Sequence, residues 1–514
     1  MSYGRSGGRS TATDVRHPWP HPGEKDIPTV TTSTEVKPKG FFGHPRGLAN
    51  LAGTEMWERF SYYGMQAILL YYLYFTVEEG GLGIDKPTAA GVVGAYGGSV
   101  YLATIAGSWV ADRLFGPERT LFYSAVLILI GHVALAVLPG VAGVAVGLLC
   151  VALGSGGLKA TATTLVGALY ESGDERRDAG FSIFYMGINL GALVGPLLTG
   201  LLQENVGFHY GFGLAAVGMA FGLVQYTLGR RNLPESGRVV PNPMDRAALT
   251  RALVFIVLGV AAVVVLVVTG VIAPSNLATV VTWVIVVVAV VLFAVLLSSK
   301  RVDRVERQRV WAFVPMFLVS FGFWALFQQQ FTVLAIYAES RVDLDLWGWS
   351  VPPSWFNSVE PLFVVLLAPV FAAVWTRLGE RQPSTPVKFA MGVGAMGVAF
   401  LVMAALGFTR GEHVVSPLLL VLVLVIFVLG EMCLSPVGLS LSTKLAPRAY
   451  TAQMVALFYL SLAMGTSVAG ALAEYYDPDS EPAYFGILGA VAIALGLIMA
   501  VLTPAVRRLM NGVR

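Results

Sequence analysis

Apolar runs of about 20 residues recur along nearly the whole 514-residue chain, and each is long enough to cross a lipid bilayer. In hydrocarbon every backbone N–H and C=O must be satisfied within its own segment, so such a chain folds as a bundle of membrane-spanning helices. Charge is correspondingly scarce: Asp, Glu, Lys and Arg make up 13% of residues, about half the soluble average. The class predicted is an all-α polytopic membrane protein.

About fourteen spans are predicted, at roughly 49–76, 88–111, 120–139, 141–169, 178–203, 208–229, 249–273, 277–298, 310–338, 354–377, 387–408, 415–443, 450–474 and 483–506. Basic loops alternate with acidic ones along this register. Arg113, Arg119, Arg176, Arg177, Arg230, Arg231, Lys300, Arg301, Arg304, Arg307 and Arg309 fall on one side. Arg377, Arg381, Lys388, Lys444, Arg448, Arg507 and Arg508 fall on the same side, whereas Glu78, Glu79, Asp85, Glu339, Asp343, Asp345, Asp477, Asp479 and Glu481 face the other. The positive-inside rule then puts both termini in the cytoplasm of a multi-pass cell-membrane protein.

Residues 1–48 are polar and rich in Gly, Pro, Ser and Thr, and read as a disordered cytoplasmic tail with no cleaved signal peptide. Residues 49–229 form a first six-helix bundle and 310–506 a second, with a short tail at 507–514. The linker 230–309 carries an inserted hairpin made almost wholly of Val, Leu, Ala and Ile, which contacts lipid or apolar helices and builds no polar site. Signals recur across it: Asp112-Arg113-Leu-Phe-Gly116 closes the second span, and Arg377-Leu-Gly379-Glu380-Arg381 closes its counterpart. Two related halves around a midplane site are the architecture of a secondary transporter.

Several function classes fall away. The net charge of +3 is too small to argue for nucleic acid. Cys150 and Cys433 sit in apolar runs and read as packing residues, with no metal site implied. Gly154-Ser-Gly-Gly-Leu-Lys159 continues into Ala160 within an apolar run, so it is no phosphate loop, and ATP-driven pumping is not expected. No nucleophile–base pair suggests an enzyme, and no cofactor is expected.

What carries chemistry is the set of polar residues inside the spans. In the first, Glu55, Glu58, Arg59, Tyr62 and Gln66 share one helical arc with Tyr63 at its edge, while Trp57, Phe60 and Ile68 point away. A charge at mid-bilayer costs roughly 2.5–3.5 kcal/mol, so this face must look onto a cavity or a protein wall. Lys159 in the fourth span and Glu431, which is followed by Ser435-Pro436, are isolated charges deep in apolar helices. A structural ion pair between Lys159 and a first-span acid is the plainer alternative. Asn189 supplies an amide; Tyr101, Trp324 and Phe458 are either packing or ligand-facing aromatics; His132 reads as a satisfied packing residue. Positive Arg59 and Lys159 against negative Glu431 suit a zwitterion whose ends lie several ångströms apart.

These residues also carry a resemblance. Glu55-x-x-Glu58-Arg59-Phe60-x-Tyr62-Tyr63-Gly64, Tyr101-Leu, Asp112-Arg113-x-x-Gly116, Gly154-x-Gly156-x-x-Lys159 and the run Phe181 to Asn189 come first. Phe323-Trp324-Ala, Ser354-Trp-Phe-x-Ser and Gly430-Glu431-Met-x-x-Ser435-Pro-Val-Gly follow. In this order they resemble the proton-dependent oligopeptide transporters, the POT family of the major facilitator superfamily, over nearly the whole chain after residue 40. The resemblance implies import of di- and tripeptides driven by the proton gradient, by a chain expected to work as a monomer. It implies that Arg59 and Lys159 hold the peptide carboxylate near Tyr62, Tyr63 and Tyr101. Asn189 and Glu431 would hold the amino end with Ser435 supporting Glu431, and Glu55 and Glu58 would be the proton-linked acids. The chain departs from the family pattern at four places. Gln66 and Gln328 stand where an arginine and its acidic partner are usual, which suggests a Gln–Gln contact; Glu360 replaces an asparagine and could take part in coupling; Phe458 replaces a tryptophan. These changes suggest a preference shifted toward solutes with extra positive charge. The alternatives are a non-peptide or cationic peptide-like substrate on the same fold, or a non-transporting peptide sensor.

Overall fold

The computed structural model describes residues 40–171, 174–346, 348–408 and 414–513. The segment up to Gly40 and the segment Phe41–Arg514 are separate units, and every helix among the described residues lies in the second. The first six are α1 (Arg46–Tyr74), α2 (Lys86–Val110), α3 (Pro117–Val137), α4 (Gly140–Gly167), α5 (Arg176–Asn205) and α6 (Phe208–Gly229). Then come α7 (Arg246–Val268), α8 (Leu277–Ser298), α9 (Arg304–Phe327), α10 (Val333–Arg341), α11 (Val359–Leu378), α12 (Thr385–Leu406), α13 (Pro417–Lys444), α14 (Thr451–Leu472) and α15 (Glu481–Leu509).

Local chemistry sets the ends. Asp85, Asp245 and Asp303 each accept from a backbone N–H in the first turn of α2, α7 and α9, and Glu306 completes a capping box with Asp303. Proline opens α3 and α13. Thirteen helical segments among the described residues are long and apolar enough to cross a membrane. The fourteenth, α1, carries Glu55, Glu58 and Arg59 in mid-helix, which depress its hydropathy but not its length.

Three boundaries differ from the sequence reading. Of the tail expected at 1–48, residues 1–39 lie outside the described residues, but α1 already begins at Arg46. There His44 Nδ1 sits 2.9 Å from the Tyr170 hydroxyl, and the tie holds this stretch to the bundle. At the other end α15 continues to Leu509 and Met510 is buried, so the expected tail is helical for its first residues. The span placed at 310–338 runs from Arg304 to Arg341 and is broken by a tight 3-10 turn over Gln328–Phe331, between α9 and α10.

α1 packs on α5 and α6, α3 on α4 and α6, and α2 on α4; α12 packs on α13 and α15, and α9 on α14 and α15. Two halves result, joined mainly by α2 against α14 and by α5 against α11 and the turn before it. Close approach rests on small residues. A Cβ at Gly107 of α2 would lie 2.5 Å from Gly157 Cα of α4, and one at Gly94 of α2 would lie 2.6 Å from Gly470 Cα of α14. The inserted hairpin is asymmetric: α7 buries nothing, whereas α8 buries Ala278, Ile285, Ala289 and Leu296 along one seam against α2 and α14.

Candidate binding site

Between the halves lies a cavity of about 910 Å³. α1, α2, α4 and α5 wall it from one half; α9, α11, α13 and α14 wall it from the other, and Leu292 of α8 closes a corner. Ser108, Thr443 and Ala452 along its edge are exposed, so it opens toward the end where α2 and α13 finish, which is the end bearing the basic loops. The opposite end is shut. There the Tyr71 hydroxyl donates to the Ala335 carbonyl at 3.1 Å, the Ser358 hydroxyl to the Leu193 carbonyl at 2.7 Å and the Trp355 indole N–H to the Leu197 carbonyl at 3.0 Å. Lys86 and Glu339 add an ion pair at 3.6 Å.

The charged groups divide by half. On α1, Arg59 Nε lies 3.0 Å from Glu55 Oε1 and 2.8 Å from Glu58 Oε2. Glu55 is one turn before Arg59, so the helix itself brings that pair together. Glu58 is fully buried behind the cavity wall and accepts from the Ser155 hydroxyl of α4 at 2.8 Å. Lys159 makes no ion pair with a described carboxylate, so the structural-pair alternative does not hold. Its ammonium instead sits 4.3 Å from the Tyr101 ring and 5.2 Å from the Tyr62 ring, a cation held by aromatic faces and open to the cavity.

The second half contributes acids only. Glu360 Oε2 accepts from Gln330 Nε2 at 3.1 Å. Glu431 is 8% exposed, and its buried Oε2 has no hydrogen-bond partner. Both line the cavity, as do Trp324, Gln328 and Ser435. Ser435 lies one turn after Glu431 on the same wall, and no hydrogen bond joins the two side chains. Tyr63 reaches across from α1 and stacks with Phe331 at 6.3 Å, so an aromatic pair spans the halves.

Thus Glu55, Arg59, Tyr62, Tyr63, Gln66, Tyr101, Lys159, Trp324, Gln328, Glu360, Glu431 and Ser435 converge on one space. Asn189 does not line it; its amide donates to the Tyr185 carbonyl one turn back in α5. Phe458 does not either: it packs over Gly438. Gln66 and Gln328 face the cavity but are not hydrogen-bonded to each other, and Gln66 Oε1 is buried without a partner. His132 is buried as expected, yet neither ring nitrogen has a hydrogen-bond partner, so it is packed but not satisfied. Sequence reasoning missed Tyr459, Thr104, Thr163 and Gln453. For Tyr459 the signal was available: Ala452, Ala456, Tyr459, Leu462 and Thr466 follow one face of α14, and Phe458 lies about 100° off it.

Comparison with known proteins places this cavity in context. The POT family model (PTR2) matches residues 118–487. A di-/tripeptide transporter of Lactococcus lactis subsp. cremoris is 42% identical over 489 residues, spanning 93% of this chain and 98% of the relative. The uncharacterized transporter YclF of Bacillus subtilis is 45% identical, over 93% and 97% of the two chains. Among solved structures, a mutant of the peptide transporter POT in complex with alafosfalin superposes with a TM-score of 0.89 at 46% identity, covering 92% of this chain and 97% of that one. A POT family transporter in complex with 5-aminolevulinic acid superposes with a TM-score of 0.86 at 39% identity, over 91% and 98%. A helical bundle of this topology, with its polar residues gathered on a shared cavity and 93% of its length matched by a transporter, belongs to the POT family of membrane transporters.

Proposed function

We propose that the protein is a symporter that imports di- and tripeptides across the cytoplasmic membrane by alternating access, driven by the proton gradient and needing no other cofactor. The observation that supports it best is the division of charge across one cavity: uncompensated Lys159 on one wall, Glu360 and Glu431 on the other. A peptide carboxylate meets the ammonium of Lys159 and the outer edge of the Arg59 guanidinium; the peptide ammonium meets the glutamates. Tyr62, Tyr63, Tyr101 and Trp324 offer apolar faces between the two poles, which tolerate varied side chains. The similarity to a di-/tripeptide transporter supports the same solute class.

Coupling follows from the Glu55–Arg59–Glu58 cluster. A proton on either acid removes one of the two negative partners of Arg59 and frees its charge for the solute. Loss of the proton restores the cluster and weakens the hold. With both termini cytoplasmic, the basic-loop opening is the inward one, and reloading requires the contacts of α1 with α10 and of α5 with α11 to part. A single chain encloses the whole cavity, so a monomer surrounded by lipid suffices.

Purified protein in liposomes with an inward proton gradient tests this. Dialanine uptake should collapse when an ionophore dissipates the gradient and should be lost in Arg59→Ala. Binding without flux indicates a sensor, and flux of other solutes without dialanine indicates a different substrate; either result overturns the proposal.

A further inference from the structure

The charges around the cavity do not balance for a simple zwitterion. Five charged side chains line it: Arg59 and Lys159 positive, Glu55, Glu360 and Glu431 negative. Glu55 is paired with Arg59, and Glu58 behind the wall shares that same guanidinium. On the far wall Glu360 and Glu431 project from neighbouring helices α11 and α13, which pack through Val364, Val428 and Met432 one turn or less away from the two acids. Among the described residues no lysine, arginine or histidine lines that wall. A neutral dipeptide brings one ammonium, enough for one of the two acids.

The surroundings are poor in substitutes. Glu360 has one neutral donor, Gln330, and Glu431 Oε2 has none. Trp324 Nε1 and Gln66 Oε1 are also without partners, each on a cavity-lining residue that is 4% exposed. Buried polar groups left unpaired are costly until something polar meets them. What the second carboxylate lacks is a donor with positive charge, delivered within a side chain's length of the first ammonium.

We propose that Glu360 and Glu431 form a two-carboxylate subsite for a doubly cationic amino end, selecting peptides whose first residue carries a side-chain ammonium in addition to its α-ammonium. This rests on the peptide-transport reading above. Glu431 and Glu360 each take one ammonium, and Lys159 takes the carboxylate at the opposite pole. A neutral side chain of equal length fills the same space but leaves one carboxylate unmatched.

The test compares lysyl-alanine with norleucyl-alanine, which has the same chain without the charge, as competitors of proton-driven dialanine uptake in liposomes. The wild-type protein should favour lysyl-alanine by about tenfold, equivalent to about 1.4 kcal/mol. In Glu360→Gln the ratio of the two inhibition constants should fall below about twofold, whatever the absolute rate. A series with ornithyl- and diaminopropionyl-alanine needs only wild-type protein and should show a length dependence. Equal inhibition by lysyl- and norleucyl-alanine in the wild type overturns the proposal while leaving dialanine transport standing. So does a preference that persists in Glu360→Gln. Absence of dialanine transport altogether removes the peptide reading and this subsite with it.

Discussion

Lys159 is the most exacting place to test the charge division, because its ammonium is the one cavity cation with no described carboxylate partner. Replacing it by glutamine removes the charge and leaves a side chain of similar reach. The fold should barely notice: no acid is orphaned, and the loss of two cation–π contacts, about 0.5–2 kcal/mol each, is offset by relief from holding a charge inside a bundle. Binding should suffer. A charge-assisted hydrogen bond contributes about 1.5–3 kcal/mol, so affinity for dialanine should fall by about 10- to 150-fold. The sharper readout is a thermodynamic cycle with dialaninamide, which lacks the carboxylate. The wild type should bind the amide worse by a similar factor, and Lys159→Gln should bind the two ligands alike. Calorimetric titration in detergent supplies the four affinities, and thermal melts confirm that the variant is folded. If the two losses simply multiply, the ammonium and the carboxylate do not interact, and the assignment of poles is wrong.

Further predictions test the other parts. Glu58→Gln keeps an acceptor for Ser155 but removes half of the negative charge facing Arg59; gradient-driven accumulation should be lost while dialanine exchange at equal pH continues, and unimpaired accumulation would remove Glu58 from coupling. Gly94→Val drives a side chain into the Gly470 backbone; uptake should fall at least about tenfold, and a cysteine placed at Phe331 should become reactive to an impermeant maleimide from outside. Glu339→Gln breaks only the half-exposed pair with Lys86, worth about 0–1 kcal/mol, so its uptake should stay within about fivefold of wild type. Glu118→Ala strips the partner of Arg230 and leaves a partly exposed guanidinium unpaired at the end of α6; unfolding should occur at lower temperature, by the equivalent of about 2 kcal/mol, with no change in ligand selectivity.

Much of the fold was legible because lipid allows so few alternatives: length and apolarity alone mark thirteen crossings, and α1 adds the fourteenth by its length despite three charges in mid-helix. Residues whose burial is expensive were equally legible. Glu55, Arg59, Lys159 and Glu431 had to find a cavity or a partner, and they share one. Residues that are cheap to bury were not. Asn189 can satisfy its amide on its own helix at no cost to the sequence pattern, and Phe458 packs as well against a neighbouring helix as against a cavity, where Tyr459 stands instead. The break after Phe327 was invisible for the same reason: Gln328, Gln329 and Gln330 are good helix formers, and only the tertiary positions of Tyr484, bonded to Gln329, and Glu360, bonded to Gln330, call for the turn.

The inserted hairpin is fastened unevenly. The Thr282 hydroxyl donates to Ser467 of α14 and the Ser467 hydroxyl donates to the Ala278 carbonyl, each at 2.9 Å. Toward α2, Ala278 and Ile285 of α8 lie beside Gly91 and Gly98. Under the proposed alternating access, these hydrogen bonds would carry the hairpin with the second half while its apolar side slides along α2. α7 buries no residue, so the same motion would sweep it through the surrounding lipid. Turnover would then depend on membrane viscosity, and a probe on α7 would report the motion from outside the working parts.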